Sequence, residues 1–283
     1  MKLGEWQTLT VVKKVDFGIY LAEDREAGSE RVLLPKAQVP QGCGLHDELS
    51  VFLYKDSKDR LIATTHTPLL TTGGLAALRV KQVTKIGAFL DWGLEKDLFL
   101  PYKQQIRQRA GPLQKGDEIL VTMYIDKSGR LCAGQRNLYP LLSTNPSYAI
   151  GDVVRARVYE FGHDFGTFLA VDDRYSAMIP KSEDCSDLRI GQVIDARITA
   201  VKPDGKIDLT RREKAHLQID RDAQTVLALI DSYGGQLPFN DKASPERIMQ
   251  EAHMSKNAFK RAVGHLYKER IIEITPEGIH KIK

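Results

Sequence analysis

The sequence predicts a mainly β chain with an α+β tail: three tandem five-stranded barrels, then a domain of three helices and a two-stranded wing. Three observations carry that expectation. A short phrase recurs as Phe17-Gly18-Ile19-Tyr20-Leu21, Ile86-Gly87-Ala88-Phe89-Leu90 and Phe165-Gly166-Thr167-Phe168-Leu169. Each copy runs on to an apolar stretch ending in proline, at Pro35, Pro101 and Pro180, which lie 17, 14 and 14 residues beyond the glycine. From Asp220 onward the apolar residues fall at helical spacing, so the repeat does not extend into the tail.

The elements of each copy follow in order. Residues 153–159 and 193–198 alternate and are rich in β-branched side chains, which suits strands. The second strand carries the repeated glycine and the third ends in Leu33-Leu34-Pro35, Phe99-Leu100-Pro101 or Met178-Ile179-Pro180. Gly116-Asp117 and Gly191-Gln192 sit where a turn must launch the fourth strand, and His46-Asp47 is a looser match in the first copy. A polar turn and a basic residue precede the fifth, in Asp59-Arg60-Leu61, Gly129-Arg130-Leu131 and Gly205-Lys206-Ile207. Five short strands per copy suit a partly open barrel of the OB type. The expected domains are residues 1–66, 73–136, 147–213 and 219–283, with proline-bearing linkers at 66–72 and 137–147. The connection at 211–218 has neither Gly nor Pro and reads as a stiff helix, joining the third barrel and the tail into one unit.

In the tail, residues 220–233 place Val226, Leu227, Leu229 and Ile230 on one helical face, closed by Gly234-Gly235. Ser244 is an N-cap candidate with Pro245 at the first helical position, and that helix runs to about Ala252. Ser255 caps the next, which turns Phe259, Ala262, Val263 and Leu266 inward. Residues 271–274 and 279–282 flank a Pro/Gly turn and read as the wing. Three helices and a β-wing make a winged helix.

Composition narrows the class. A hydrophobic fraction of 42% supports folded cores. No apolar run nears the roughly 18 residues of a membrane span, and Met-Lys-Leu-Gly-Glu-Trp is too polar for a secretory signal. The three cysteines, Cys43, Cys132 and Cys185, are unpaired in spacing and read as small apolar residues of a cytoplasmic protein. The net charge of +4 is unevenly spread: residues 73–136 carry 11 Lys and Arg against 6 Asp and Glu, whereas residues 147–213 carry 10 against 12. Any nucleic-acid footprint is therefore a local patch.

The order Phe-Gly-x-Phe, apolar strand, Gly-Asp turn, long strand, basic turn and last strand resembles the S1 RNA-binding domain. Residues 149–212 match best. The second copy has Ile86 in place of the first aromatic, and all three lack the histidine expected in the third strand. Three such copies followed by a winged helix resemble the conserved virulence factor B family of cytoplasmic bacterial RNA-binding regulators, over essentially the whole chain. That resemblance implies RNA as partner, expected to be single-stranded; the lack of metal- and phosphate-binding motifs leads to an expectation of no cofactor and no metal.

Exposed aromatic rings on such a barrel stack bases at roughly 1–3 kcal/mol each. Phe165 and Phe168 are three apart, so strict alternation puts them on opposite faces of a strand. The S1 resemblance implies that a bulge at Gly166 brings both to one face; otherwise one ring of the pair is core. The corresponding candidates are Phe17 and Tyr20 in the first copy, and Phe89 with Trp92 in the second. Arg60, Arg130 and Lys206 are the matching cations. The resemblance also implies an orienting acid four residues earlier, met by Asp56 and Asp126 but replaced by Lys202, which makes the third face more positive. Singly each cation reads better as a solvated side chain; only their recurrence at equivalent positions favours contact with phosphate. On the recognition helix Lys256, Lys260 and Arg261 lie away from the apolar stripe, on a face that serves phosphates, a DNA groove or a protein partner.

No phosphate-cradling glycine loop, His-Glu-x-x-His motif or cysteine pair is present in the sequence. Asp172-Asp173 and Glu183-Asp184 are adjacent acids best read as loop residues. The expectation is a non-enzymatic, single-stranded-RNA-binding regulator. The alternatives are a DNA-binding transcription regulator acting through the winged helix and a protein-docking adaptor.

Overall fold

The computed structural model describes residues 1–24, 30–106, 111–162, 164–211 and 215–282. It divides into two compact units, Met1–Arg211 and Arg212–Lys283. The first holds three barrels. Barrel 1 is built from β1 (Trp6–Val15), β2 (Gly18–Ala22), β3 (Val32–Pro35), β4 (Glu48–Lys55) and β5 (Leu61–Thr64). Barrel 2 has β6 (Leu75–Val83), β7 (Gly87–Asp91), β8 (Leu98–Pro101), β9 (Glu118–Ile125) and β10 (Leu131–Gly134). Barrel 3 has β11 (Val153–Gly162), β12 (Gly166–Val171), β13 (Tyr175–Pro180), β14 (Val193–Val201) and β15 (Ile207–Thr210).

All three close in one order, first strand to second, third, fifth, fourth and back to the first. The third and fifth strands are parallel and every other pair is antiparallel. Closure leaves no free sheet edge. The turn before each fourth strand uses the same left-handed residue: Gly116 (φ 95°), Gly191 (φ 89°) and His46 (φ 74°). Each donates its amide to the first strand, to Val80, Val158 and Val11 respectively. The loose sequence match at His46 is thus a full structural match.

The first strand must bend to serve both halves of its barrel, and a register break does this at one equivalent place in each copy. It falls between Val11 and Lys13, between Val80 and Gln82, and between Val158 and Glu160. The bulge expected at Gly166 is therefore in the preceding strand, at Tyr159. The ladder from Gly166–Pro180 to Val171–Tyr175 runs without a break.

The linkers between barrels are packed segments. Leu70 is buried, and the amides of Leu69, Thr72 and Gly73 reach Trp92, Gly4 and Met123. Leu138 and Leu142 are buried with Leu120, Tyr159 and Ala170 in a small core between barrels 2 and 3. Arg157, nearly inaccessible, adds a polar tie: it holds Asp173 at 2.7 Å and, on β9, the Glu118 carboxylate at 3.1 Å. Burial disfavours its charge, yet these carboxylates hold the guanidinium above its ordinary range.

In the second unit α1 (Ala215–Ser232) is one helix, so the expected connector and first tail helix are continuous from Ala215. Residues 212–214 of that connector lie outside the described residues. Arg211 is tied back to Asp187 by two 2.8 Å bonds. A short strand, β16 (Gln236–Leu237), precedes α2 (Pro245–Ala252) and α3 (Lys256–Lys268), whose N-caps Ser244 and Ser255 accept from Arg247 and Ala258. The wing, β17 (Ile272–Ile274) and β18 (Ile279–Lys281), has three strands rather than two, because β16 pairs with β18. Its core gathers Val226, Ile230, Ile248, Phe259, Val263 and Ile279.

Candidate nucleic-acid interface

Register places equivalent side chains in a row across the second, third and fifth strands. The rows read Tyr20, Leu33 and Ile62 in barrel 1, and Phe89, Phe99 and Cys132 in barrel 2. In barrel 3 the row is Phe168, Met178 and Asp208.

Barrel 3 brings the expected residues together. Phe165 precedes β12 and is 68% exposed; Phe168 is half-buried and packs on Tyr159 at 6.3 Å between ring centres. Both line a groove of about 280 Å³ with Tyr139, Lys202 and Lys206. Alternation does not separate the two rings because Phe165 stands outside the strand. Gly166 makes the junction possible, with φ 140° and β13 so close that a Cβ would lie 2.1 Å from the Ile179 oxygen. A side chain there would clash with backbone, which cannot yield as a side chain can.

The cations of this groove are already engaged. Lys206 meets Asp204 at 2.7 Å and lies 5.5 Å from the centre of the Tyr139 ring. The Asp204 hydrogen bond, then that of Tyr139, holds its ammonium above the ordinary lysine range. Lys202 stands 2.9 Å from Asp208 Oδ1, so it does not leave the third face more positive as expected. Tyr139 lies in a linker, outside the repeat, and comparison of the copies could not find it.

In barrel 1 the exposed Phe17 meets the half-buried Tyr20 edge-on at 6.5 Å. Arg60 binds Asp56 through Nε and Nη2 at 2.9 and 2.7 Å. Burial acts to raise the Asp56 carboxyl, but the Arg60 bonds outweigh it and hold it below the ordinary range.

Barrel 2 differs. Ile86 is exposed where the others have an aromatic, and Phe89 leans on Phe99 at 5.2 Å. Trp92 is no stacking platform: it is 2% exposed, donates to the Lys96 oxygen at 2.5 Å and meets Phe52 and Tyr54 of barrel 1 edge-on. Asp126 accepts the Arg130 and Ser128 amides, and these bonds lower its carboxyl. The Arg130 guanidinium turns instead to Asp59 of barrel 1. The expected acid therefore shapes the turn, and the cation goes elsewhere.

On α3, Asn257, Lys260, Arg261, Tyr267 and Lys268 are exposed on the side opposite the buried Phe259, Ala262, Val263 and Leu266, while Lys256 is half-buried. Sequence reading passed over Tyr267, although its spacing from Lys260 and Gly264 places it on that same exposed face. The paired acids have structural partners: Asp172 accepts the Tyr148 hydroxyl, Asp173 takes Arg157, and Glu183 accepts the Thr210 hydroxyl. Among the described residues, no group of three or more His, Cys, Asp or Glu side chains is placed to hold a metal, and no helix is long and apolar enough to cross a membrane.

Comparison with known proteins places the S1 domain model on the first two barrels, and on the third, which the sequence matched best to S1, a different domain model. The S1 domain model matches residues 3–66 and 72–136. The models for the second domain of virulence regulatory factor CvfB and for the CvfB-like winged helix domain match residues 147–212 and 224–280. The conserved virulence factor B proteins of Staphylococcus aureus strains N315 and USA300 are each 32% identical over 235 residues, covering 81% of this chain and 77% of theirs. A crystal structure of a Streptococcus pneumoniae multidomain protein with nucleic acid binding domains is 25% identical, with a TM-score of 0.58 over 99% of this chain and 98% of that one. By its domain models, their order and its identity to these relatives, the chain belongs to the conserved virulence factor B family.

Proposed function

We propose that this protein is a non-enzymatic cytoplasmic regulator of gene expression that binds single-stranded RNA, chiefly through the barrel 3 groove. One observation carries the reading: Phe165, Phe168, Lys202, Lys206 and Tyr139 line a single open groove. Stacking rings beside cations are what a base and its phosphate require. The S1 and CvfB domain matches, and the nucleic acid binding domains named for the Streptococcus pneumoniae structure, support it. Phe17, Tyr20 and Arg60 of barrel 1 add a second face, and Phe89 with Arg130 a third. A second reading rests on α3, whose exposed Lys260 and Arg261 also suit duplex DNA in the manner of a recognition helix, with the barrels as accessories. A third makes the same face a docking surface for a protein.

The test is an equilibrium titration of the full chain with RNA, single-stranded DNA and duplex DNA of matched sequence over a range of salt. Tightest binding to RNA with affinity falling as salt rises is expected. Tighter binding to the duplex would favour the second reading. Changing Lys256, Lys260 and Arg261 together to Ala is expected to lower the RNA salt slope by about 2, near 0.7 per phosphate contact on a single strand. No change in RNA binding would give α3 to the protein-docking reading.

A further inference from the structure

The turn before each fifth strand contains one residue in the left-handed region. It is Gly129 (φ 71°) in barrel 2, Gly205 (φ 78°) in barrel 3 and Asp59 (φ 58°) in barrel 1. Glycine holds that conformation without strain, whereas a side chain adopts it at a cost. Asp59 uses its side chain to reach barrel 2, where it accepts from Arg130 and lies 3.5 Å from Lys96 Nζ. The Arg130 bond keeps its carboxyl below the ordinary range, and the anion persists.

Asp59 thereby joins the lining of a groove of about 600 Å³ between barrels 1 and 2. Phe89, Phe99 and Ile86 line it, the barrel 2 counterparts of residues in the barrel 3 groove. The charged lining is Lys55, Lys96 and Arg130 against Asp59, Asp97 and Asp126. These stand three against three, with Asp97 also paired to Lys81 at 2.7 Å, so loss of Asp59 leaves the lining with more cations than anions. Without it, two cations that share one carboxylate face an open cleft floored by rings.

We propose that this groove is a nucleotide-binding site shared by two barrels, in which the Asp59 carboxylate occupies the phosphate position and gives way to a phosphate of single-stranded RNA. The proposal deepens the RNA-binding reading and rests on it. It assigns Asp59 the role of an internal counter-ion: it keeps Arg130 and Lys96 ordered and withheld until a strand delivers both a base for Phe89 and a phosphate for the cations. Exchange of one anion for another leaves the charge of the cleft nearly unchanged, which makes this site weaker and less salt-dependent than its two cations alone would be.

The experiment compares full-length wild type, Asp59→Gly, Arg130→Ala and the double variant for binding to a fluorescently labelled oligouridine at several salt concentrations. Asp59→Gly restores the residue of the other two copies and suits the backbone. It is expected to bind roughly three- to tenfold more tightly, with a salt slope steeper by about 0.7 to 1.4. Arg130→Ala alone is expected to weaken binding modestly, because one of the cations that would take the phosphate is gone, and in the double variant the gain is expected to vanish. A gain that survives Arg130→Ala is a bulk charge effect and overturns the proposal, as does no gain at all in a folded Asp59→Gly protein. If circular dichroism shows that variant misfolded, Asp59→Asn takes its place, with a smaller gain expected and no gain overturning. A local readout separates this site from the barrel 3 groove. In a Trp6→Phe background Trp92, which lines the shared groove, is the sole tryptophan. Quenching of Trp92 that persists when Phe165 and Phe168 are changed to Ala supports this site even if the barrel 3 reading fails. RNA binding by the wild type with no Trp92 response in either protein overturns this site and leaves that reading intact.

Discussion

Lys206 of barrel 3 rests against the face of Tyr139, 5.5 Å from the ring centre, so a linker residue completes a surface that the repeats began. A cation held over a ring gains roughly 0.5–1 kcal/mol at an exposed site. Tyr139 also offers its own ring to a base. Changing Tyr139 to Leu is expected to lower RNA affinity about three- to tenfold with little effect on melting. Fluorescence anisotropy with a labelled RNA reads the first and differential scanning calorimetry the second.

The two phenylalanines of barrel 3 are expected to separate. Phe165 is 68% exposed, so Phe165→Ala removes stacking without opening a core and costs binding about 1–3 kcal/mol. Phe168 packs on Tyr159, and Phe168→Ala is expected to lower the melting temperature as well as the affinity. Phe165→Ala with Phe168→Ala is expected to weaken RNA binding several-fold more than Phe89→Ala. Equal losses would show that the barrels contribute alike.

Arg157 offers a stability test away from the two aromatic-lined grooves. Its guanidinium is buried, but Asp173 and Glu118 keep access to water, so removing it strands partly solvated charges. Arg157→Met is expected to cost about 1–3 kcal/mol in urea unfolding, less than breaking a fully buried pair. The Asp173→Asn variant, which leaves the Glu118 bond, is expected to cost less. A null result for Arg157→Met would reduce the inter-barrel tie to a surface pair.

The thiols are expected to rank by burial. Burial, aided by the Asp126 charge, pushes the Cys132 thiol up to about 11, and Cys185 is also buried, whereas Cys43 is half-buried. Native protein at pH 8 is expected to give one fast thiol with Ellman's reagent, lost in Cys43→Ser, and two slow ones. The raised Cys132 value has a definite sign. Its contribution to stability is complete below the unfolded value near 9 and lost as pH climbs towards 11. Alkaline unfolding of Cys132→Ala is expected to lack that component.

How much of this was legible in the sequence differs from element to element. The barrels and tail helices were, because apolar periodicity and capping are local: Ser244 and Ser255 cap where they were expected to. Phe165, Phe168 and Lys206 were legible as a group because the repeat aligned them. What failed was non-local. The bulge belongs to Tyr159 because the first strand has to bend around a closed barrel, which no residue of β12 records. Trp92 and Arg130 turn to barrel 1 rather than outward, because each met a partner some 35 to 75 residues away in the chain. Lys202 is neutralised by Asp208 across a hairpin. Like the spacing of Tyr267, Asp59 carried a signal that went unused: it departs from glycine at a position where the other copies keep it.

The buried linkers have a consequence for how the first unit comes apart. Leu70, Leu138 and Leu142 would each be stripped of neighbours if one barrel opened alone. Partial unfolding is thereby penalised, and residues 1–211 are expected to melt as one cooperative block with a single calorimetric transition. An S1 repeat in this chain has ceased to be a transplantable module.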